Sequence, residues 1–245
     1  MYQKRTYRHL VNTDRLLTFQ VVVKETDLMV HAAQGLVNET RDLVLEHRGY
    51  VESYIKAHPD FAGTLNPWYP DRLAPNIIAD MVKAGRQAGV GPMAAVAGAV
   101  AGRVGRGLLK ITDQVIVENG GDVFIKTNSP VTVGIFAGPS PLSMQLGVRL
   151  GGRQNPVGVC TSSGTVGHSL SFGQADAVCV VADSCAVADA AATSIGNLIH
   201  AATDIQNAIN AAQRMTVVAG IVIIAGEKIG VWGELELVPL KGKKG

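Results

Sequence analysis

The chain predicts an α+β fold of antiparallel sheets with helices packed on one face. Three observations carry that expectation. Hairpin signals recur at Glu25-Thr26-Asp27, Asn119-Gly120-Gly121 and Gly226-Glu227, apolar residues recur at helical spacing in the segments between, and the element order of the first half returns in the second. The expectation is one unit over residues 1–245 built of two similar halves, 10–128 and 129–240.

Leu16 to Lys24 and Leu28 to His31 read as an opening hairpin. From Ala33, the residues Leu36, Val37, Leu43, Val44, Val51 and Tyr54 recur among Glu, Arg and Lys, predicting an amphipathic helix to about His58. Phe61 to Pro75, with Asn66-Pro67-Trp68-Tyr69-Pro70, is loop chemistry, and a helix resumes near Asn76. Pro92 suits the first position of a helix over Met93 to Val104, whose Ala and Gly content allows close packing, with Gly105 and Gly107 as stops. Val115–Glu118 and Asp122–Lys126 flank Asn119-Gly120-Gly121, a turn that tolerates positive φ. Short apolar strands at Val131–Phe136 and Val157–Cys160, and a strand through Ala177–Val181, lead to one long helix over Ala188 to about Ala212. Its stripe is Ile195, Leu198, Ile199, Ile205 and Ile209. A closing hairpin over Val217–Ala225 and Lys228–Leu237 precedes a tail, Lys241–Gly245, that reads as disordered.

Composition narrows the function. Of 245 residues 47% are hydrophobic and 17% charged, and the net charge is +2, so a buried core is well supplied and no broad basic face for nucleic acid is expected. No apolar stretch is long enough to span a membrane as a helix, and no signal-peptide pattern follows the basic start Met1–His9, which predicts a cytoplasmic protein. Cys160, Cys179 and Cys185 are odd in number and lack a CxxC spacing, which argues against a zinc site or disulfide framework. Oligomerisation with further copies is left open.

The chemistry-bearing residues concentrate between Gly158 and Thr193. Cys160-Thr161-Ser162-Ser163-Gly164 through His168 is a loop of hydroxyls, glycines, a thiol and an imidazole, a set suited to phosphate through hydroxyls and backbone N–H groups. Asp189 and Thr193 share one face of a helix, and such oxygens suit a hard cation, although an acid near a helix start also serves the helix dipole. Asn119-Gly120-Gly121 is by itself a good turn, and Glu118 and Asp122 beside it suit ribose hydroxyls or a cation, a solvated tip being an equally natural reading. His168 suits acid–base work near neutral pH. Cys160 ends an apolar strand against the hydroxyl loop, which makes it a candidate reactive thiol at the pocket mouth, whereas Cys179 and Cys185 read as packing. There is no G-x-S-x-G frame for serine chemistry and no G-x-G-x-x-G for a dinucleotide fold.

Four segments together resemble the superfamily of the bacterial flavin transferase ApbE. They are Gly89-Val90-Gly91-Pro92-Met93-Ala94 at a helix start, Glu118-Asn119-Gly120-Gly121-Asp122 at a turn, Thr161-Ser162-Ser163-Gly164 before His168, and Ala188-Asp189 with Thr193. The family's lysine has no counterpart near Met93-Ala94-Ala95, and its Asp-Pro-x-Thr-Gly segment is absent after His168. The resemblance implies duplicated T-fold-like halves and a magnesium-dependent enzyme that splits FAD and attaches FMN to a protein threonine. It implies FAD or FMN and Mg²⁺ as cofactors, a nucleotide and a protein acceptor as partners, and Asp189 and Thr193 as metal ligands. The nucleotide would lie along Asn119, Gly120, Gly121, Asp122, Thr161, Ser162, Ser163 and Gly164, with His168 and Cys160 as candidate catalytic groups. Two other readings stand beside it: a sulfur-handling or redox protein using Cys160, and a non-catalytic binding protein on the same fold.

Overall fold

A computed structural model describes residues 16–69, 73–165 and 172–240. The opening hairpin pairs β1 (Leu17–Val23) with β2 (Thr26–Ala32) and turns through Lys24 and Glu25. Helix α1 (Val37–Ala57) follows, then a single turn α2 (Asp60–Gly63) and α3 (Asn76–Ala88), which ends on Gly89 in the left-handed region at φ 73°. Pro92 opens a 3₁₀ turn, Pro92–Ala95, and α4 (Val96–Leu108) begins after it. β3 (Val115–Asn119) and β4 (Asp122–Lys126) form the Asn-Gly-Gly hairpin, with Gly120 at φ 71°. The remaining elements are β5 (Val131–Gly134), β6 (Leu146–Leu150), β7 (Val157–Ser162), β8 (Ala177–Ala182), α5 (Cys185–Gly196), α6 (Ile205–Gln213), β9 (Gly220–Ala225), β10 (Lys228–Gly233) and β11 (Glu236–Pro239).

Three layers result. Strands run β1-β2-β3-β4-β7-β8-β9-β10 in one antiparallel sheet, with α1 to α4 inserted between β2 and β3 and α5 and α6 between β8 and β9. One core lies between that sheet and the helices, where Leu28, Phe124, Val180 and Ile221 meet Val44, Ile78, Met81, Val104 and Ile195. The opposite face carries Ile116, Val123, Val159, Val181 and Val222, covered by a three-stranded sheet in the order β11-β6-β5. The helices therefore pack on one face as expected. The second sheet was not part of the expectation, because β11 joins β6 through pairs such as Leu237↔Val148 that are far apart in sequence.

Two helix readings change. Gly105 does not stop α4: a Cβ there would lie 2.1 Å from Phe124 Cδ1, so the missing side chain lets α4 rest on β4, and the helix runs on to Leu108. The single helix over Ala188–Ala212 is two helices. Hydrogen bonding begins early, with Ala188 N–H donating to Ser184 O at 2.9 Å, and α5 stops at Gly196. The chain then turns, held by Asp204 Oδ2, which accepts from the His200 and Ala201 N–H groups at 2.9 Å each. Asp189 is therefore the fifth residue of α5, one turn beyond the position where an acid would simply complement the helix N-terminus.

Candidate functional site

Sheet register assembles the site. Asn119 pairs with Asp122 across the β3–β4 hairpin and Asp122 pairs with Cys160 across β4–β7, so all three stand in one row on the helix face. The hairpin tip is joined to the hydroxyl loop, because Thr161 N–H donates to Gly121 O at 2.9 Å. A Cβ on Gly121 would come within 2.6 Å of Thr161 O. Above this row, Asn119 Nδ2 donates to Ala97 O at 3.1 Å, and Gly98 N–H donates to Asp189 Oδ2 at 2.8 Å. Glycines permit this closeness: a Cβ on Gly98 would meet Cys185 O at 2.4 Å and Asp189 Cβ at 2.8 Å, and one on Gly158 would meet Cys185 Cα at 2.4 Å.

Two carboxyl groups consequently share a small volume. Asp122 is only 8% exposed, and burial pushes its pKa up to about 7, partly offset by a hydrogen bond from the Cys160 thiol. Asp189 is partly exposed as a residue, yet burial of its carboxyl group, and then the charge of Asp122, hold its pKa well above the usual carboxylate range. The Gly98 and Ala97 N–H groups oppose that rise. Sequence reasoning missed Gly98 as a donor to Asp189; the small-residue signal in Met93–Val104 was read only as close packing.

The donor set can be tested against a divalent cation. Among the described residues no three His, Cys, Asp or Glu side chains gather as a metal cluster. A cation here would instead take carboxylate oxygens from Asp122 and Asp189 and complete its shell with a hydroxyl, carbonyls and water. That is the ligand chemistry of Mg²⁺, which keeps several waters and uses one or two carboxylates. Thr193 lies one helical turn beyond Asp189 on α5 and is partly exposed.

The hydroxyl loop divides. Ser162 closes β7 on the helix face near the last turn of α5, where a Cβ on Gly196 would be 3.9 Å from its Oγ. Thr161 points to the opposite face and hydrogen-bonds Cys179. Ser163 Oγ lies 3.2 Å from Thr165 Oγ1, which donates to Asp176 Oδ1 at 3.2 Å, while Gly164 N–H donates to Ala175 O at 2.9 Å. Ser163 and Gly164 thus belong to a turn tied to Asp176. His168 lies in 166–171, outside the described residues, as do Met1–His9 and Lys241–Gly245.

Cys160 is a correction. It is 0% exposed rather than at a pocket mouth, because its position in β7 puts it on the helix face beneath Cys185. Its thiol donates to Cys185 O at 3.2 Å and its Sγ lies 3.5 Å from Cys185 Sγ. Burial, then Cys185, push its pKa well above the usual thiol range, the opposite of an activated thiolate. Trp68 packs edge-on against Phe61 and donates Nε1 to Tyr54 Oη at 3.4 Å, so it covers a core edge. Tyr69 is 77% exposed and lies under the Arg86 guanidinium. Two surface depressions, one along Ala79, Val82, Lys83, Arg86 and Gln87 and one along Arg153, Gln154, Asn155, Pro156 and Asp183, include none of the paired carboxyl groups.

A helix-covered antiparallel sheet with this element order is the fold of the ApbE flavin transferases. The apo flavinyl transferase ApbE from Pseudomonas stutzeri superposes with a TM-score of 0.56 at 12% identity, covering 89% of this chain and 93% of that one. The ApbE protein from Thermotoga maritima gives a TM-score of 0.56 at 14% identity, covering 89% and 97%. The family model described as AbpE bacteria matches residues 8–228, and the chain belongs to that family. Nearer in sequence are UPF0280 proteins. One from Methanococcus aeolicus is 40% identical over 204 residues, 81% of this chain and 82% of that protein. One from Methanocaldococcus jannaschii is 38% identical over 226 residues, 89% and 92%.

Proposed function

We propose that this chain binds a flavin nucleotide, FAD or FMN, together with Mg²⁺ between the β3–β4 hairpin and α5. The observation that carries the reading is the pairing of Asp122 with Asp189, two enclosed carboxyl groups whose burial raises the cost of ionisation, that of Asp189 further by the charge of Asp122, with no cationic side chain among the groups that shift them. A divalent cation would relieve that cost. Mg²⁺ supplies charge neutralisation at a pyrophosphate. Asp122, Asp189 and Thr193 are its proposed ligands, and the nucleotide lies along Asn119–Gly121 and Ser162; the Thr161 side chain, turned to the other sheet face, takes no part. The Gly98 N–H fixes Asp189 Oδ2.

Asp122 belongs to the proposed half 10–128 and Asp189 to the half 129–240, so the site needs both. The structural relatives are named flavin transferases, which supports retained flavin transfer; in that reading a protein acceptor would take FMN and AMP would leave. His168 is the proposed acid–base group. A cytoplasmic location fits the three free cysteines, and no helix among the described residues is long and apolar enough to cross a membrane. A persulfide-carrier or nucleophile role for Cys160 has lost its main support, because the thiol is buried away from any pocket mouth and its pKa is raised.

Titrating purified protein into FAD and following flavin fluorescence with and without Mg²⁺ tests the reading. Mg²⁺-dependent quenching that disappears in Asp189→Asn is expected. Equal titrations in the presence and absence of the metal would sink it, and AMP release decides whether transfer accompanies binding.

A further inference from the structure

Cys160 and Cys185 serve neither nucleotide nor cation in the reading above, yet their thiols are in contact. Both are buried, both are free, and their sulfurs lie 3.5 Å apart. Their neighbours give the contact its meaning. Cys160 stands directly opposite Asp122 in the β4–β7 register and its thiol hydrogen-bonds that carboxyl group. Cys185 is the first residue of α5, and Asp189 lies four residues on, on the same helix face. Each thiol therefore sits beside one member of the carboxyl pair, on the same element as Asp189 or on the strand paired with Asp122. Gly158 provides the room that brings α5 down onto β7 at this point. The third cysteine, Cys179, lies on the opposite sheet face in the second core.

We propose that Cys160 and Cys185 are a redox pair that a peroxide converts to a disulfide in the folded protein, clamping the start of α5 to β7 and weakening cation binding at Asp122 and Asp189. The inference rests on the cation reading of that site. In the first step one thiol takes an oxygen from the peroxide, giving a sulfenic acid and one molecule of water. In the second, the neighbouring thiol attacks the sulfenic sulfur, forming the S–S bond and releasing a second water. Two electrons pass from the two thiols to one molecule of hydrogen peroxide. The reaction is slow: burial, then Cys185, raises the Cys160 thiol pKa, and for Cys185 the lowering by its hydrogen bond with Cys160 is outweighed by burial together with the charges of Asp122 and Asp189. Once formed, the bond removes the one proton that Cys160 donates to Cys185 O and holds the first turn of α5, which carries Asp189, against β7.

Full-length protein is incubated with hydrogen peroxide, digested without reductant and analysed by mass spectrometry, and Mn²⁺ is titrated by electron paramagnetic resonance before and after oxidation. The expected result is a Cys160–Cys185 cross-linked peptide, Cys179 still open to alkylation after unfolding, and Mn²⁺ affinity reduced about tenfold and restored by dithiothreitol. Cys179→Ser should cross-link as before, whereas Cys185→Ser should not. Full alkylation of Cys160 and Cys185 after oxidation overturns the proposal, as does a cross-linked protein that binds Mn²⁺ as the reduced form does. If reduced protein binds no Mn²⁺, the cation reading itself falls. The clamp is then judged by amide exchange over residues 185–193, where slowing on oxidation supports it and unchanged exchange overturns it.

Discussion

Asp176 and Asp122 are buried to nearly the same degree, at 7% and 8% exposure, and sit at corresponding ends of strands, yet their surroundings differ in kind. Asp176 Oδ2 accepts the Gly226 N–H at 2.7 Å and its Oδ1 accepts the Thr165 hydroxyl at 3.2 Å. Fixed neutral donors balance its burial, and it ties the hydroxyl turn to the β9–β10 hairpin. Asp122 has a thiol beside it and faces a second carboxyl group. Burial alone therefore does not mark a functional acid; a missing supply of donors does.

Substitution should separate the two most sharply. Asp189→Asn is expected to cost at least about a hundredfold in Mg²⁺-dependent FAD affinity, because a carboxylate ligand is lost, while metal-free thermal stability holds or rises as a like-charge neighbour of Asp122 disappears. Asp176→Ala should do the reverse. Leaving the Gly226 N–H and Thr165 hydroxyl without their acceptor costs roughly 1–3 kcal/mol in denaturant unfolding, with FAD affinity of the folded fraction little changed. If Asp189→Asn binds FAD normally, or Asp176→Ala abolishes binding without loss of stability, the distinction between the two acids fails.

The pH dependence of stability gives a second effect. Asp122 has a folded-state pKa of about 7, above its ordinary 3.8, so the unfolded chain gives up this proton first. Its contribution is fully present below about pH 4 and is lost as pH rises towards 7, by up to roughly 4 kcal/mol. His31 works the other way. Burial holds its pKa below 6.5, so its contribution is full above 6.5 and is lost as pH falls through the folded value. The two oppose one another between pH 4 and 7, and Mg²⁺ separates them. Saturating Mg²⁺ should raise the unfolding midpoint more at pH 7.5 than at pH 5, and Asp122→Asn should shrink that difference, Asp189 keeping the remainder. An equal Mg²⁺ effect at both pH values would remove Asp122 from the cation site.

Local chemistry made part of this legible in the sequence. Asn119-Gly120-Gly121 announced its hairpin because the turn needs positive φ, met at Gly120, and α1 announced itself through one apolar stripe. What was hidden depends on partners distant in the chain. The break after Gly196 was masked because Ile195, Leu198, Ile199, Ile205 and Ile209 keep near-helical spacing across it, although Leu198 proves 48% exposed. Cys160 looked like a pocket thiol because a strand sequence does not say which parity faces the helices; Gly158 and Cys160 share the face that α5 covers. The pairing of Asp122 with Asp189 needed both the β4–β7 register and the crossing of α4 over α5. Asp176 gives only a weak signal, an acid between Ala175 and Ala177 at the edge of an apolar run.

The smallest expected effect lies in α4, where two glycines one turn apart meet different surroundings. At Gly98 a methyl group would sit 2.4 Å from the Cys185 carbonyl oxygen and 2.8 Å from Asp189 Cβ, backbone and a short side chain that cannot swing aside. Gly98→Ala must therefore push α5 away, costing about 1–3 kcal/mol of stability and weakening Mg²⁺-dependent FAD binding together. At Gly102 the nearest atom is 3.4 Å away and belongs to the end of the Arg106 side chain, which can move. Gly102→Ala should gain up to about 1 kcal/mol from helix propensity and leave FAD affinity unchanged. Chemical unfolding and FAD titration on both variants check the contrast. Two neutral substitutions would mean that the close approach of α4 to Asp189 contributes nothing to the site, and the Gly98 N–H would lose its role in orienting that carboxyl group.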